Sequence, residues 1–214
     1  MKKVKAILLA LAVLFLLGGF GDDGEDLDLA SFGDYQKEYE SIDVGVCSYS
    51  SVKTYMDYRA VTSPSSTQYW YIRRYMYVDP TGLLIDEDGF IGVALGSYYG
   101  VIGDRYYFTL DNGTVLPVVK IDEKADEDTL DGCNHGEDGS VIEFVIDKNL
   151  AGNYFGVWEN GLILSGNFNN TEVFRGSIAK VEKVTGEKNE HYVTYEEKEE
   201  TAFDNEDIFS YGGY

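Results

Sequence analysis

Apolar and polar residues alternate with a two-residue period, or gather in short apolar blocks, through the middle of this chain. Residues 53–61 (KTYMDYRAV) and 68–78 (QYWYIRRYMYV) are dense in tyrosine, tryptophan and branched side chains, which predicts strands. Asp86-Glu87-Asp88-Gly89 signals a turn before a further strand over residues 90–95. Residues 105–110 (RYYFTL) and 115–122 (VLPVVKID) flank Asp111-Asn112-Gly113, whose Asn-Gly pair predicts a tight hairpin. Residues 140–147 (SVIEFVID) are apolar on both faces and predict a central strand. Glu159-Asn160-Gly161 predicts another turn before a short strand at 162–164, and residues 172–184 supply the last strand or two. No long stripe of period 3.6 follows the first twenty residues, so helix is confined to short pieces near 124–130 or 168–172. The fold class predicted is all-β.

The two ends read differently. Lys2, Lys3 and Lys5 precede an unbroken apolar run over residues 6–17, too short to span a bilayer comfortably. Gly19-Phe20-Gly21 then sets small residues ahead of Asp22, so residues 1–21 predict a secretory signal helix that is cleaved. No cysteine follows directly, which argues against a lipid anchor, and no second long apolar run predicts membrane insertion after cleavage. Residues 22–45 predict a flexible acidic leader, and residues 186–214, with Glu196-Glu197-Lys198-Glu199-Glu200, an acidic disordered tail. Residues 46–185 between them have the content for one core of ordinary domain size.

Charge narrows the partners. The chain has 17 Lys and Arg against 38 Asp and Glu, a formal charge of −21. The signal holds three lysines and no acid, so its removal makes the balance more negative still. Such a surface repels nucleic acid and anionic lipid. The two cysteines, Cys47 and Cys133, fit either one disulfide in an exported chain or two separate thiols. Two histidines are too few for a His-rich metal site. A phosphate loop, a dinucleotide fingerprint and a nucleophile elbow are all lacking.

The candidate chemistry is carboxylate chemistry. Asp122, Glu123, Asp126, Asp128 and Asp131 crowd into ten residues after one strand, and Glu143 lies in the next. Strand alternation places Asp122 on the face of Leu116, Val118 and Lys120. An acid shielded at a strand end has a raised pKa and suits general-acid work on a glycosidic oxygen. A second carboxylate acts as base or holds the substrate. Two other readings compete: a merely solvated acidic face, and a calcium loop built on Asp126, Asp128 and Asp131-Gly132, which lacks the usual closing glutamate. No metal or cofactor is assigned. His135 is either an imidazole near the acids or an exposed residue of a glycine-rich loop. Tyr98 and Tyr99, beside Lys124 and His135, are the candidate substrate-binding residues; aromatic rings either stack on sugars or pair across strands.

The runs VALGSYYGVIGDRYYFTLDNG, LPVVKIDEKAD and SVIEFVID resemble, over roughly residues 90–147, the double-psi β-barrels of secreted cell-wall proteins. The relatives include the three-aspartate wall-lysis domain, the barrel of membrane-bound lytic transglycosylase A, rare lipoprotein A and the expansin/barwin group. The resemblance implies a six-stranded double-psi β-barrel with extra flanking strands. It also implies an extracytoplasmic, wall-associated protein whose partner is cell-wall glycan and whose reaction is lytic cleavage of peptidoglycan strands. Asp122 falls where those enzymes keep an essential acid, and Glu143 where the three-aspartate domain has an Asp in its last strand; Asp126 is a further catalytic candidate. The sequence departs from that domain at Glu123-Lys124-Ala125, where the family has Thr-Gly-Gly. A non-catalytic glycan-binding module and a calcium-stabilised interaction domain remain the alternatives.

Overall fold

The computed structural model describes residues 38–43, 47, 51–155, 168 and 171–185. The predicted signal, most of the leader, the turn and strand at 159–164 and the acidic tail lie outside these residues. The elements are β1 (Glu38–Ile42), β2 (Thr54–Asp57), α1 (Thr67–Tyr75), β3 (Tyr77–Val78), β4 (Leu84–Ile85), β5 (Ile91–Leu95), β6 (Arg105–Leu110), β7 (Val115–Glu123), β8 (Thr129–Leu130), β9 (Asn134–His135), β10 (Glu143–Ile146), α2 (Lys148–Phe155) and β11 (Ile178–Thr185).

Nine strands form one mixed sheet in the order β1-β11-β6-β7-β5-β10-β2, with β4 also on β5 and β3 on β4. Two neighbouring pairs are parallel, β5 with β7 and β2 with β10, and every other ladder is antiparallel. The chain is therefore mostly β, as predicted. The closed six-stranded barrel is not seen as a ring of ladders: among the described residues no ladder joins β2 to β11. The segments leading into β2 and β11 are linked by a side chain instead, since Lys53 Nζ donates to the Gly176 carbonyl at 2.5 Å. Phe168 N also donates to the Lys53 carbonyl at 2.9 Å.

Each face of the sheet buries its own core. One gathers Tyr55, Val93, Phe108, Val118 and Phe144 from five strands. The other packs Ala94, Val119, Ile121 and Val145 under Tyr71 and Ile72 of α1. The hairpin between β6 and β7 is built as its sequence predicts. Gly113 takes φ +88°, its N–H donates to Leu110 O at 2.9 Å, and Asn112 Oδ1 accepts from Thr114 N at 2.9 Å.

Three local predictions are corrected. Of the strand predicted over residues 68–78, only Tyr77–Val78 are strand (β3); residues 68–75 lie in α1. Ser66 caps that helix, its Oγ accepting from Tyr69 N at 3.1 Å, and Tyr71 and Tyr75 sit one turn apart with ring centroids 5.0 Å apart. Tertiary burial thus outweighs the β-propensity of a tyrosine-rich run. The strand over 53–61 stops at Asp57, whose carboxylate accepts from Arg59 N at 2.8 Å and turns the chain. Residues 38–42 of the predicted flexible leader form β1, which adds to the edge of β11. The helix α2 was not read from the sequence; Asp147 caps it, accepting from Asn149 N at 2.9 Å.

Of the two readings left open for the cysteines, the structure shows the disulfide. Cys47 and Cys133 are bonded, with Cα atoms 5.4 Å apart and a sequence separation of 86. The bond ties the chain before β2 to the loop between β8 and β9.

Candidate functional site

Three strands bring the two leading acids into one row. Asp122 of β7 stands opposite Ala94 of β5, and Glu143 of β10 stands opposite the same Ala94 on its other side. Thr54 of β2 extends the row beyond Glu143. Adjacent strands lie about 4.8 Å apart, so the backbones of the two acids are roughly 10 Å apart with only a methyl group between them. A larger residue than Ala94 would stand between the two acids that flank it.

The register explains why Asp122 belongs to this row. Val93 pairs with Lys120, yet the next residue, Ala94, pairs with Asp122, so one residue of β7 is bulged out. Lys120 and Glu123, three apart, consequently meet: Lys120 Nζ donates to Glu123 Oε2 at 2.7 Å. Strict alternation would put them on opposite faces. The prediction that Asp122 shares the face of Leu116, Val118 and Lys120 is therefore corrected. The bulge carries it to the face of Ala94 and Ile121.

The carboxyl environments differ from water in a consistent direction. Burial pushes Asp122 up to about 6 from 3.8, the negative charges of Glu143 and Glu123 add to the rise, and the Glu123 N–H and Lys120 oppose it. That N–H donates to Asp122 Oδ1 at 2.9 Å. Glu143 is raised as well, by burial first and by Asp138, against the attraction of Lys124 and His135. Two neighbouring acids that both resist ionisation make a site able to hold a proton near neutral pH.

Lys124 is the cation of the site. Its side chain is buried, and its Nζ donates to Ser140 O at 2.9 Å and Ser140 Oγ at 3.0 Å. Burial lowers its pKa, while Glu143 and Asp138 hold the charge on. Ser140 is placed by its own loop: Asp138 Oδ1 accepts from Ser140 N at 2.8 Å, and His135 N donates to Ser140 O at 2.9 Å. Its Oγ is also 3.4 Å from Thr54 Oγ1, where either hydroxyl can donate. Burial would raise Asp138, but the hydrogen bonds from Ser140, then His135 and Lys124, outweigh it and hold the carboxyl low. His135 Nδ1 lies 3.4 Å from Asp138 Oδ1.

Asp122, Glu143, Lys124 and His135, all singled out in the sequence, thus converge. Asp126 does not join them. It is exposed, accepts from Ser97 Oγ at 2.5 Å and pins the loop after β5 to the loop after β7. Tyr99 is corrected as a substrate-binding residue: it is 0% exposed and packs edge-on against Tyr106 at 5.7 Å. Tyr98 is half-buried, with its hydroxyl donating to Asp43 O at 2.8 Å. Ser140, Thr54, Ala94 and Asp138 were not found in the sequence. The Gly-Ser before an apolar strand was the one available sign of Ser140. Among the described residues no three His, Cys, Asp or Glu side chains converge as a metal site. Nor is any helix among them long and apolar enough to cross a membrane.

Comparison with family models, with curated proteins and with solved structures finds no match to this chain.

Proposed function

We propose that this is an exported, wall-associated protein that cleaves peptidoglycan glycan strands, with Asp122 as the catalytic acid. The observation that carries the reading is the pairing of Asp122 with Glu143 across Ala94, both acids shielded and Asp122 titrating near 6. A group with that pKa is partly protonated near neutral pH and regains its proton readily, as general acid–base catalysis requires. Asp122 donates its proton to the glycosidic oxygen as the bond to the sugar breaks. The carboxylate left behind then accepts a proton from the incoming hydroxyl. Glu143 keeps Asp122 protonated in the free state through its negative charge, and as an anion it favours positive charge developing on the sugar ring. Lys124 holds the loop at Ser140 against the site and limits how far Glu143 is raised.

The double-psi barrel is part of the same proposal. The two parallel pairs, β5 with β7 and β2 with β10, support it, as does the Lys53 bridge to Gly176 that ties the approach to β2 to the approach to β11. Export is supported by the charged, apolar and small-residue sequence of residues 1–21 and by the Cys47–Cys133 bond, which needs an oxidising space. The test is digestion of purified sacculi with separation of the soluble products by mass. Release of muropeptides supports an enzyme. Pelleting with sacculi without release supports a glycan-binding module instead.

A further inference from the structure

The outer face of α1 differs from the rest of the surface. Tyr71 and Ile72 turn inward onto the sheet. With about 3.6 residues per turn, the opposite side of the helix carries Trp70 and, one turn on, Arg74. Trp70 is half-buried and Arg74 exposed. The next exposed side chain is Tyr77 of β3, at 52%. A surface helix ordinarily presents charged and polar groups on that side. Trp, Arg and Tyr are instead the residue types that binding interfaces collect.

Charge sets the face apart as well. Residues 58–78 carry three arginines and no Asp or Glu, although the whole chain has a charge of −21. The acids bordering that segment are spent within the fold. Asp57 and Asp147 hold Arg59. Asp79 accepts from Thr81 N, Thr81 Oγ1 and Leu83 N, and Asp86 pairs with Arg105. Arg73 is already engaged, lying over Tyr69 at 4.2 Å. Arg74 is different. Its guanidinium lies 5.5 Å from the Tyr75 ring centroid, and no carboxylate among the described residues pairs with it.

The helix also borders the acid row. It packs over Ala94, Val119, Ile121 and Val145, and Ala94 is the residue that Asp122 and Glu143 flank. An extended polymer lying along this side of the sheet meets both. Trp70 is set in place by Tyr69, with ring centroids 6.0 Å apart and planes at 84°.

We infer that the outer face of α1 docks the wall polymer, with sugar faces on Trp70 and Tyr77 and a carboxylate of the peptides hung from the glycan on Arg74. The inference rests on the wall-glycan reading above and adds to it the surface that holds the strand. Aromatic rings bury large area against the apolar faces of sugars. A planar guanidinium takes a carboxylate by two parallel hydrogen bonds. So acidic a protein repels an acidic polymer wherever its own carboxylates point outward. The acid-free face is where the two can touch.

The test is co-sedimentation of the purified protein with peptidoglycan sacculi in the cold, run beside the digestion assay. The sacculi are used intact or stripped of their peptides by an amidase. Arg74→Gln and Tyr77→Ala are the informative variants, because both side chains are exposed and neither is needed for the core. Leu150→Ala, at a position 43% exposed on α2, is the control. Each informative variant is expected to need at least roughly threefold more sacculi for half-saturation, with an unchanged melting temperature. The control should match wild type, and the Arg74→Gln loss should vanish on stripped sacculi. Folded Arg74→Gln and Tyr77→Ala proteins that sediment like wild type overturn the inference and leave the catalytic reading standing. A wild type that releases muropeptides without sedimenting does the same, and one that does neither removes both. A dimer that Tyr77→Ala converts to monomer also overturns it, by assigning the face to a second copy.

Discussion

Asp122 and Glu143 face each other across Ala94, each paired with it from opposite sides of β5. Among the described residues no cation forms an ion pair with either acid; Lys124 is committed to Ser140 and Lys120 to Glu123. The row therefore carries a standing electrostatic cost. Such a cost is tolerated where protonation is part of the work.

That cost has a sign in stability. The folded-state pKa of Asp122, about 6, lies above the ordinary 3.8, so between those values the folded protein binds more protons than the unfolded chain. Stability must then fall as pH rises from about 4 to about 6, by on the order of 2 kcal/mol from this group. Urea unfolding of wild type and Asp122→Asn across that range is the check. The variant should show a flatter profile and be the more stable protein at pH 7.

Lys124 is expected to restrain Glu143. Lys124→Met removes the strongest positive influence on Glu143 and the two Nζ hydrogen bonds to Ser140. The Glu143 carboxyl should then titrate at higher pH, read from the pH dependence of its carboxyl carbon resonance. A Glu143 titration that does not move would show that Lys124 acts only through Ser140.

The Cys47–Cys133 bond closes a long loop, its ends 86 positions apart in sequence. Cross-links of this kind typically stabilise by about 2–4 kcal/mol, largely through the unfolded chain. A Cys47→Ser variant should unfold at correspondingly lower urea, and added reductant should shift wild type the same way.

Arg105 is 1% exposed and paired with Asp86 and Asp88, both at 2.5 Å, with its guanidinium 4.7 Å from the Phe90 ring centroid. Removing it strands Asp86, which is equally buried, and such losses cost about 3–5 kcal/mol. Arg105→Met should therefore melt far below wild type. Joining Asp86→Asn to it should recover part of the loss, because the stranded charge is gone.

How far the sequence reached depends on what each feature rests on. The β6–β7 hairpin was legible because Asn112-Gly113 states the turn chemistry locally. The strand at 140–147 was legible because its apolar run has only one kind of home. α1 is hidden in the sequence because Tyr69, Trp70, Tyr71 and Ile72 favour strands individually, and the Ser66 cap that decides the matter is one of three serines close together. Asp122 was legible from its place at a strand end, and Glu143 as an acid inside an otherwise apolar strand. Their shared face was not, since the bulge that turns Asp122 toward Ala94 is a property of the pairing with β5 rather than of β7 alone.

The central claim is that Asp122 performs acid–base chemistry on wall glycan, and digestion of sacculi by wild type and Asp122→Asn tests it most directly. The account predicts soluble muropeptides from wild type, and none above background from an Asp122→Asn protein that folds normally, because the amide keeps the shape but cannot give up and recover a proton. Equal release by the folded variant, or no release by wild type from any wall preparation, would contradict it.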